Sequence, residues 1–123
     1  MQLIIGYVTA VRGTTVRAIV HPNLYQTTYI HDGSLYRGVA INEFIVIKKG
    51  YHNIIGKIEG EEIVEKKSFD ESRPNNDKFD RFIDIKIIGY ILDGKFHSGI
   101  KFLPMIQDEL HLISDELISA IYT

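Results

Sequence analysis

The stretch that decides the fold is RFIDIKIIGYILDGKFHSGI, residues 81–100. Its first twelve residues alternate, with Ile83, Ile85, Ile87 and Ile91 expected on one side and Asp84 and Lys86 on the other. Period two is the signature of a half-buried strand. Asp93-Gly94 and a second β-rich run, KFHSGI, follow. An Asp-Gly pair between two such runs predicts a β-hairpin, because both turn positions tolerate positive φ. The same letters spell a phosphate-binding loop, Gly89, four residues, Gly94 and Lys95, up to the last position. Such a loop needs an open glycine-rich turn, a hydroxyl for Mg²⁺ and a following helix. Here Tyr90, Ile91 and Leu92 are strand formers, Asp93 would set a carboxylate against the phosphates, and Phe96 has no hydroxyl. The hairpin is the reading, and Lys95 is a hairpin residue.

The same signals extend outward. The run 2–11 is apolar and ends at the turn signal Arg12-Gly13; 14–20 follows at once, which predicts a second hairpin. Pro22 stops that strand, since proline cannot donate to a ladder. Residues 24–30 read as a strand or an extended segment, and Asp32-Gly33-Ser34 as a turn. Residues 43–49 form a strand ending at Gly50. Residues 52–60 return, with Ile54 and Ile58 on one face and Asn53 and Lys57 on the other, and 61–67 prolong it. The charged stretch 69–80 contains Pro74 and has no period, which predicts an exposed loop. After Pro104 come a short strand, 109–113, and a short helix from Ser114. Ser114 is placed to cap it, Asp115 and Glu116 suit its first turn, and Leu117, Ile118 and Ile121 form its apolar stripe. About seven short strands with frequent turns predict an all-β fold, a small antiparallel β-barrel with a short C-terminal helix.

Composition agrees. The 123 residues suit one domain, 45% are hydrophobic, and 21 are isoleucine, a residue that packs well on a pleated surface. The net charge of −2 lacks the basic excess of a general nucleic-acid or membrane-surface binder. Without cysteine, neither a disulfide framework nor a thiolate metal site is possible. The first residues, MQLIIGYVTAVRG, show no signal-peptide pattern, and no apolar run approaches the ~20 residues of a spanning helix. A cytoplasmic location is expected.

Catalytic patterns are weak. His21, His31, His52, His97 and His111 show no metal-binding spacing. Asp93, His97 and Ser98 hold the letters of a nucleophilic triad, but neighbours on a strand point to opposite faces. The carboxylates Asp70, Glu71, Asp77 and Asp80, with Arg73, Lys78 and Arg81, read as a solvated loop or a partner contact. Lys48-Lys49 and Lys66-Lys67 suit strand ends, where lysine also blocks stray pairing.

The arrangement resembles a known family. Gly89 to Ile91, the hairpin, Phe96 to Ile100, Pro104, the strand 109–113 and the capped helix are similar to the end of the HAS barrel. That barrel, shared in type with ATP synthase, stands at the N-terminus of HerA-like DNA translocases. IIGYVTAVRGTTVRAIV and RGVAINEFIVIKKGYHNIIGKIE resemble its opening hairpin and middle strands. Where the family usually carries Gly three residues after the proline, this chain has Gln107.

The resemblance implies a barrel over 1–113 and, over 114–123, the start of a helix leading to a downstream ATPase domain. That domain would bind ATP and Mg²⁺, form a hexamer and move double-stranded DNA. The barrel itself would hold no cofactor and no catalytic residue. Its partners would be neighbouring subunits and an effector, a nuclease or a sirtuin-type NADase, in DNA end processing or antiphage defence. Exposure places the contacts at Phe69, Asp70, Glu71, Arg73 and Lys78 of the loop and at Asp93, Lys95 and Phe96 of the hairpin. Two other readings stand beside this one. A stand-alone, OB-like barrel would bind nucleic acid through Tyr7, Tyr25, Tyr29, Tyr36 and Tyr51 with Arg17 or Arg37. A small enzyme would need a polar cleft with perturbed titratable groups.

Overall fold

Isoleucines at every second position of 83–87 build one inner wall of a closed barrel. The computed structural model describes residues 4–22, 24, 26–65 and 79–122. β1 (Ile4–Arg12) and β2 (Thr15–Val20) form the first hairpin. β3 (Thr28–His31) and β4 (Ser34–Arg37) make a separate two-stranded ribbon that turns at Asp32-Gly33. β5 (Phe44–Lys49) turns at Gly50 into the long β6 (His52–Glu65). β7 (Phe79–Leu92) turns at Asp93-Gly94, with φ of 52° and 74°, into β8 (Lys95–Ser98). β9 (Glu109–Leu112) and the helix α1 (Asp115–Tyr122) follow.

All pairings are antiparallel. The main sheet runs β2-β1-β9-β5-β6-β7-β8, and β2 also pairs with β7. Six strands therefore close on themselves, while β8 continues from the upper part of β7. A barrel this narrow has room inside only for side chains. They come from Val8, Val16, Ala18, Ile45, Ile47, Ile54, Ile58, Ile83, Ile85 and Leu110, all at most 1% exposed. Gly56 helps fit them: a Cβ there would lie 2.2 Å from Cγ2 of Ile85.

β7 departs from simple alternation. Ile87 pairs with Gly56 but Gly89 pairs with Ile55, so Ile88 is one extra residue, a β-bulge. Beyond it the faces exchange. Ile91, expected beside Ile83, Ile85 and Ile87, instead joins Val46, Ile55 and Ile113 on the outside of the barrel. Leu117, Ile118 and Ile121 of α1 cover that outer cluster. The helix begins as expected, with Leu117 N–H donating to Ser114 Oγ at 3.3 Å.

Three features differ from the sequence reading. Phe79 and Asp80 belong to β7 rather than to the loop before it. In 24–30 the strand starts only at Thr28, and β4 adds a strand of four residues, too short to show a period. The third concerns Arg81, expected among solvated charges but only 3% exposed. β7 brings it to the inner face at the lower end of the barrel. Its Nε pairs with the Glu61 carboxylate, Nη1 donates to Leu24 O at 2.7 Å, and Nη2 donates to Val39 O at 3.1 Å. One guanidinium thus ties β6 and β7 to two segments that cross below the barrel.

Gln107 takes a φ of 77°. It is the third residue of a turn in which Asp108 N–H donates to Met105 O at 3.0 Å, and Met105 N–H donates to Asp108 Oδ2 at 2.7 Å. Gln107 N–H and Asp108 O then bond Val8 of β1, at 2.8 and 2.9 Å. A left-handed conformation is costly for a residue with a Cβ.

Two outcomes are expected in urea denaturation. Arg81→Ala strands the Glu61 carboxylate and two carbonyls, and should lower stability by about 3 kcal/mol, with Arg81→Lys recovering only part. A shift below about 0.5 kcal/mol, the range of ordinary surface changes, would refute the anchoring role. Gln107→Gly relieves the left-handed strain and should raise stability by about 0.5–1 kcal/mol; a loss would show that the Gln side chain holds the turn.

Candidate functional site

The hairpin from Gly89 to Phe96 cannot cradle a phosphate. Tyr90 and Ile91 pair with β6 on one side and β8 on the other, and Leu92 pairs with β8, so their backbone groups serve the sheet. Asp93, His97 and Ser98 do not converge either. The His97 ring stacks on Tyr90, at 5.1 Å and 15°, while Ser98 pairs with Gly89 on the opposite face. Among the described residues, no three His, Asp or Glu side chains gather where a metal ion could sit.

Of the expected contact residues, Asp93 and Lys95 are exposed at the hairpin tip. Phe96 is half-buried and packs into the outer cluster under α1. Its ring occupies the space above Gly89, where an added Cβ would come within 2.5 Å of it. Phe96 therefore helps seat the helix. Phe69, Asp70, Glu71, Arg73 and Lys78 lie outside the described residues.

The tyrosines of the stacking reading do not form one platform. Tyr29 and Tyr36, on the small ribbon, pack against the barrel core. Tyr7 sits on β1, and Tyr51 is fully exposed in the turn between β5 and β6. Tyr25 lies outside the described residues. Both arginines are engaged: Arg17 bridges Asp84 and Glu62 at 3.2 and 3.3 Å, and Arg37 makes a two-pronged pair with Glu43 at 2.9 and 3.2 Å.

A different set of rings meets at the upper end. The bulge at Ile88 turns Tyr90 to the inner face, opposite Ile54. The segment 99–108 folds across this mouth and inserts Phe102 against the core. Phe102 stacks on His52 with centroids 3.8 Å apart and meets Tyr90 edge-on at 5.6 Å. Lys101 Nζ stands 5.9 Å from the Tyr90 ring and 5.6 Å from the Phe102 ring, within cation–π range. Lys49 Nζ donates to Leu103 O at 2.7 Å and fastens the segment to β5. These rings escaped the sequence reading because strict alternation was carried past residue 87. The doublet Ile87-Ile88 before Gly89 was the available signal.

The same segment turns apolar side chains outward. Ile100 and Leu103 are nearly half exposed, and Met105 and Ile106 are 61% and 60% exposed, on one short crest. Beside it an open depression of about 500 Å³ is lined by Lys48, Tyr51, Asn53, Asp108 and Glu109 among others. Its mixed charges favour no ligand of one sign. Compared with known proteins, the chain matches no protein-family model and no curated sequence.

One buried titratable group lies on the outer wall. His111 of β9, paired with Ile4 and Val46 and only 5% exposed, contacts Glu109 Oε1 through Nε2 at 3.1 Å. Burial lowers its pKa below the ordinary value near 6.5; the Glu109 carboxylate opposes this, and Lys48 adds to the lowering. The folded state therefore prefers neutral imidazole. That stability is present above about pH 6.5 and is lost as pH falls through the lowered folded value. Between pH 7 and 5 the chain should lose more stability than His111→Leu does, measured by urea midpoints. Parallel pH profiles would show that His111 is not the group responsible.

Proposed function

We propose that this chain is the N-terminal barrel domain of a HerA-like DNA translocase, serving assembly of a hexameric ring and docking of an effector. The observation that carries the docking role is the aliphatic crest of 100–106. Four exposed apolar side chains in seven residues are a surface that a partner covers more readily than water does. The filled barrel beneath offers a rigid platform. The closed six-stranded barrel with a capped helix after its last strand suits the HAS-barrel pattern. So does Gln107, whose positive φ occupies the position where that family usually carries glycine. In this reading the chain supplies contacts and no chemistry. ATP and Mg²⁺ belong to the downstream ATPase domain, which also moves double-stranded DNA. The effector is a nuclease or a sirtuin-type NADase, the protein is cytoplasmic, and the contact surface moves from the Phe96 side to the crest.

The test uses the intact product of the gene. It should exceed this chain by a domain of roughly 200 residues or more, hydrolyse ATP faster with duplex DNA, and run as a ring by native mass spectrometry. Met105→Gln with Ile106→Gln should release the effector or loosen the ring while leaving the barrel folded. A product no longer than these 123 residues overturns the translocase reading. A full-length ring that holds its effector equally well in the double variant overturns the crest.

A further inference from the structure

The rings at the barrel mouth form one strip. His52 lies on Phe102, Phe102 meets Tyr90, and Tyr90 lies under His97, with both stacks within 16° of parallel. The two outer rings are imidazoles at the ends of the strip, and His97 is exposed. β8 alternates, so Lys95 shares the face of His97, while Phe96 and Ser98 point away. Lys101, also exposed, stands over the middle of the strip. Among the described residues, no carboxylate lies within ion-pair distance of Lys95 or Lys101.

We propose that this cationic aromatic strip binds single-stranded nucleic acid, with bases stacking at its imidazole ends and phosphates meeting Lys95 and Lys101. Stacked rings offer flat apolar faces that any base fits, and flanking lysines track the backbone. An acidic protein segment would use the lysines but leave the rings without partners. A duplex hides its base faces and would use the lysines alone. The chain's overall charge of −2 does not oppose this, because Lys95 and Lys101 stand together at the strip and act locally. The inference stands apart from the translocase reading, since it needs neither an ATPase nor a ring.

The experiment is fluorescence anisotropy of a labelled oligothymidylate titrated with the chain at about 50 mM salt and above. Saturable binding is expected, with a log–log salt slope near −1.4 for two phosphates met. Lys101→Glu and His97→Ala, both at exposed positions, should each weaken binding about tenfold or more. Met105→Gln with Ile106→Gln should leave it unchanged, which separates this site from the docking crest. Three outcomes overturn the proposal: no binding at low salt, equal binding of a duplex of the same sequence, or binding indifferent to both strip variants.

Discussion

The ladder between β2 and β7 is the constraint on which the rest depends. Thr15 to Val20 pair in register with Lys86 to Arg81, and this contact turns an open sheet into a barrel. It also sets where the barrel stops. β2 begins opposite Lys86, so the edge of β7 beyond that point is free and β8 takes it. The stacked aromatic rings and the exposed apolar crest are arranged on this overhang and on the segment that folds back from it.

The bulge at Ile88 marks the change between the two halves. One extra residue in β7 moves Ile91 outward, where it meets α1, and Tyr90 inward, where it meets Phe102 and His97. Without it, Tyr90 would lie against the helix and Ile91 would face the mouth. A single insertion thus allots one side of the hairpin to holding α1 and the other to the aromatic strip.

Much of this was legible in the sequence. The two Asp-Gly turns, the strands of 44–49 and 52–65, the serine cap and the apolar stripe of α1 are local features, and local chemistry determines them. The fates of Ile91 and Arg81 are not local. A bulge depends on what the neighbouring strand does, here a register in which Ile55 and Gly56 face Gly89 and Ile87. Arg81 reads as one more loop charge because its partners, Glu61, Leu24 O and Val39 O, are distant in sequence and two are backbone carbonyls. The contact surface was sought where charge and turns suggest exposure. The largest run of exposed apolar side chains lies in 99–108, where proline and apolar residues had marked only a break in the sheet.

β9 lies between β1 and β5, bonded to both. The first strand of the chain therefore waits for the last before its second neighbour exists. At the 5–20 residues per second typical of synthesis, the free edges of β1 and β5 stay open for several seconds. In that interval a nascent chain presents two unsatisfied strand edges rich in isoleucine and valine, the kind of edge that invites foreign pairing. Because the contacts between β1 and β9 join residues about a hundred positions apart, completing the wall is a slow and late event. Shortening the chain before Leu112 would remove the strand that completes the wall, and with it the seam between the two ends of the sequence.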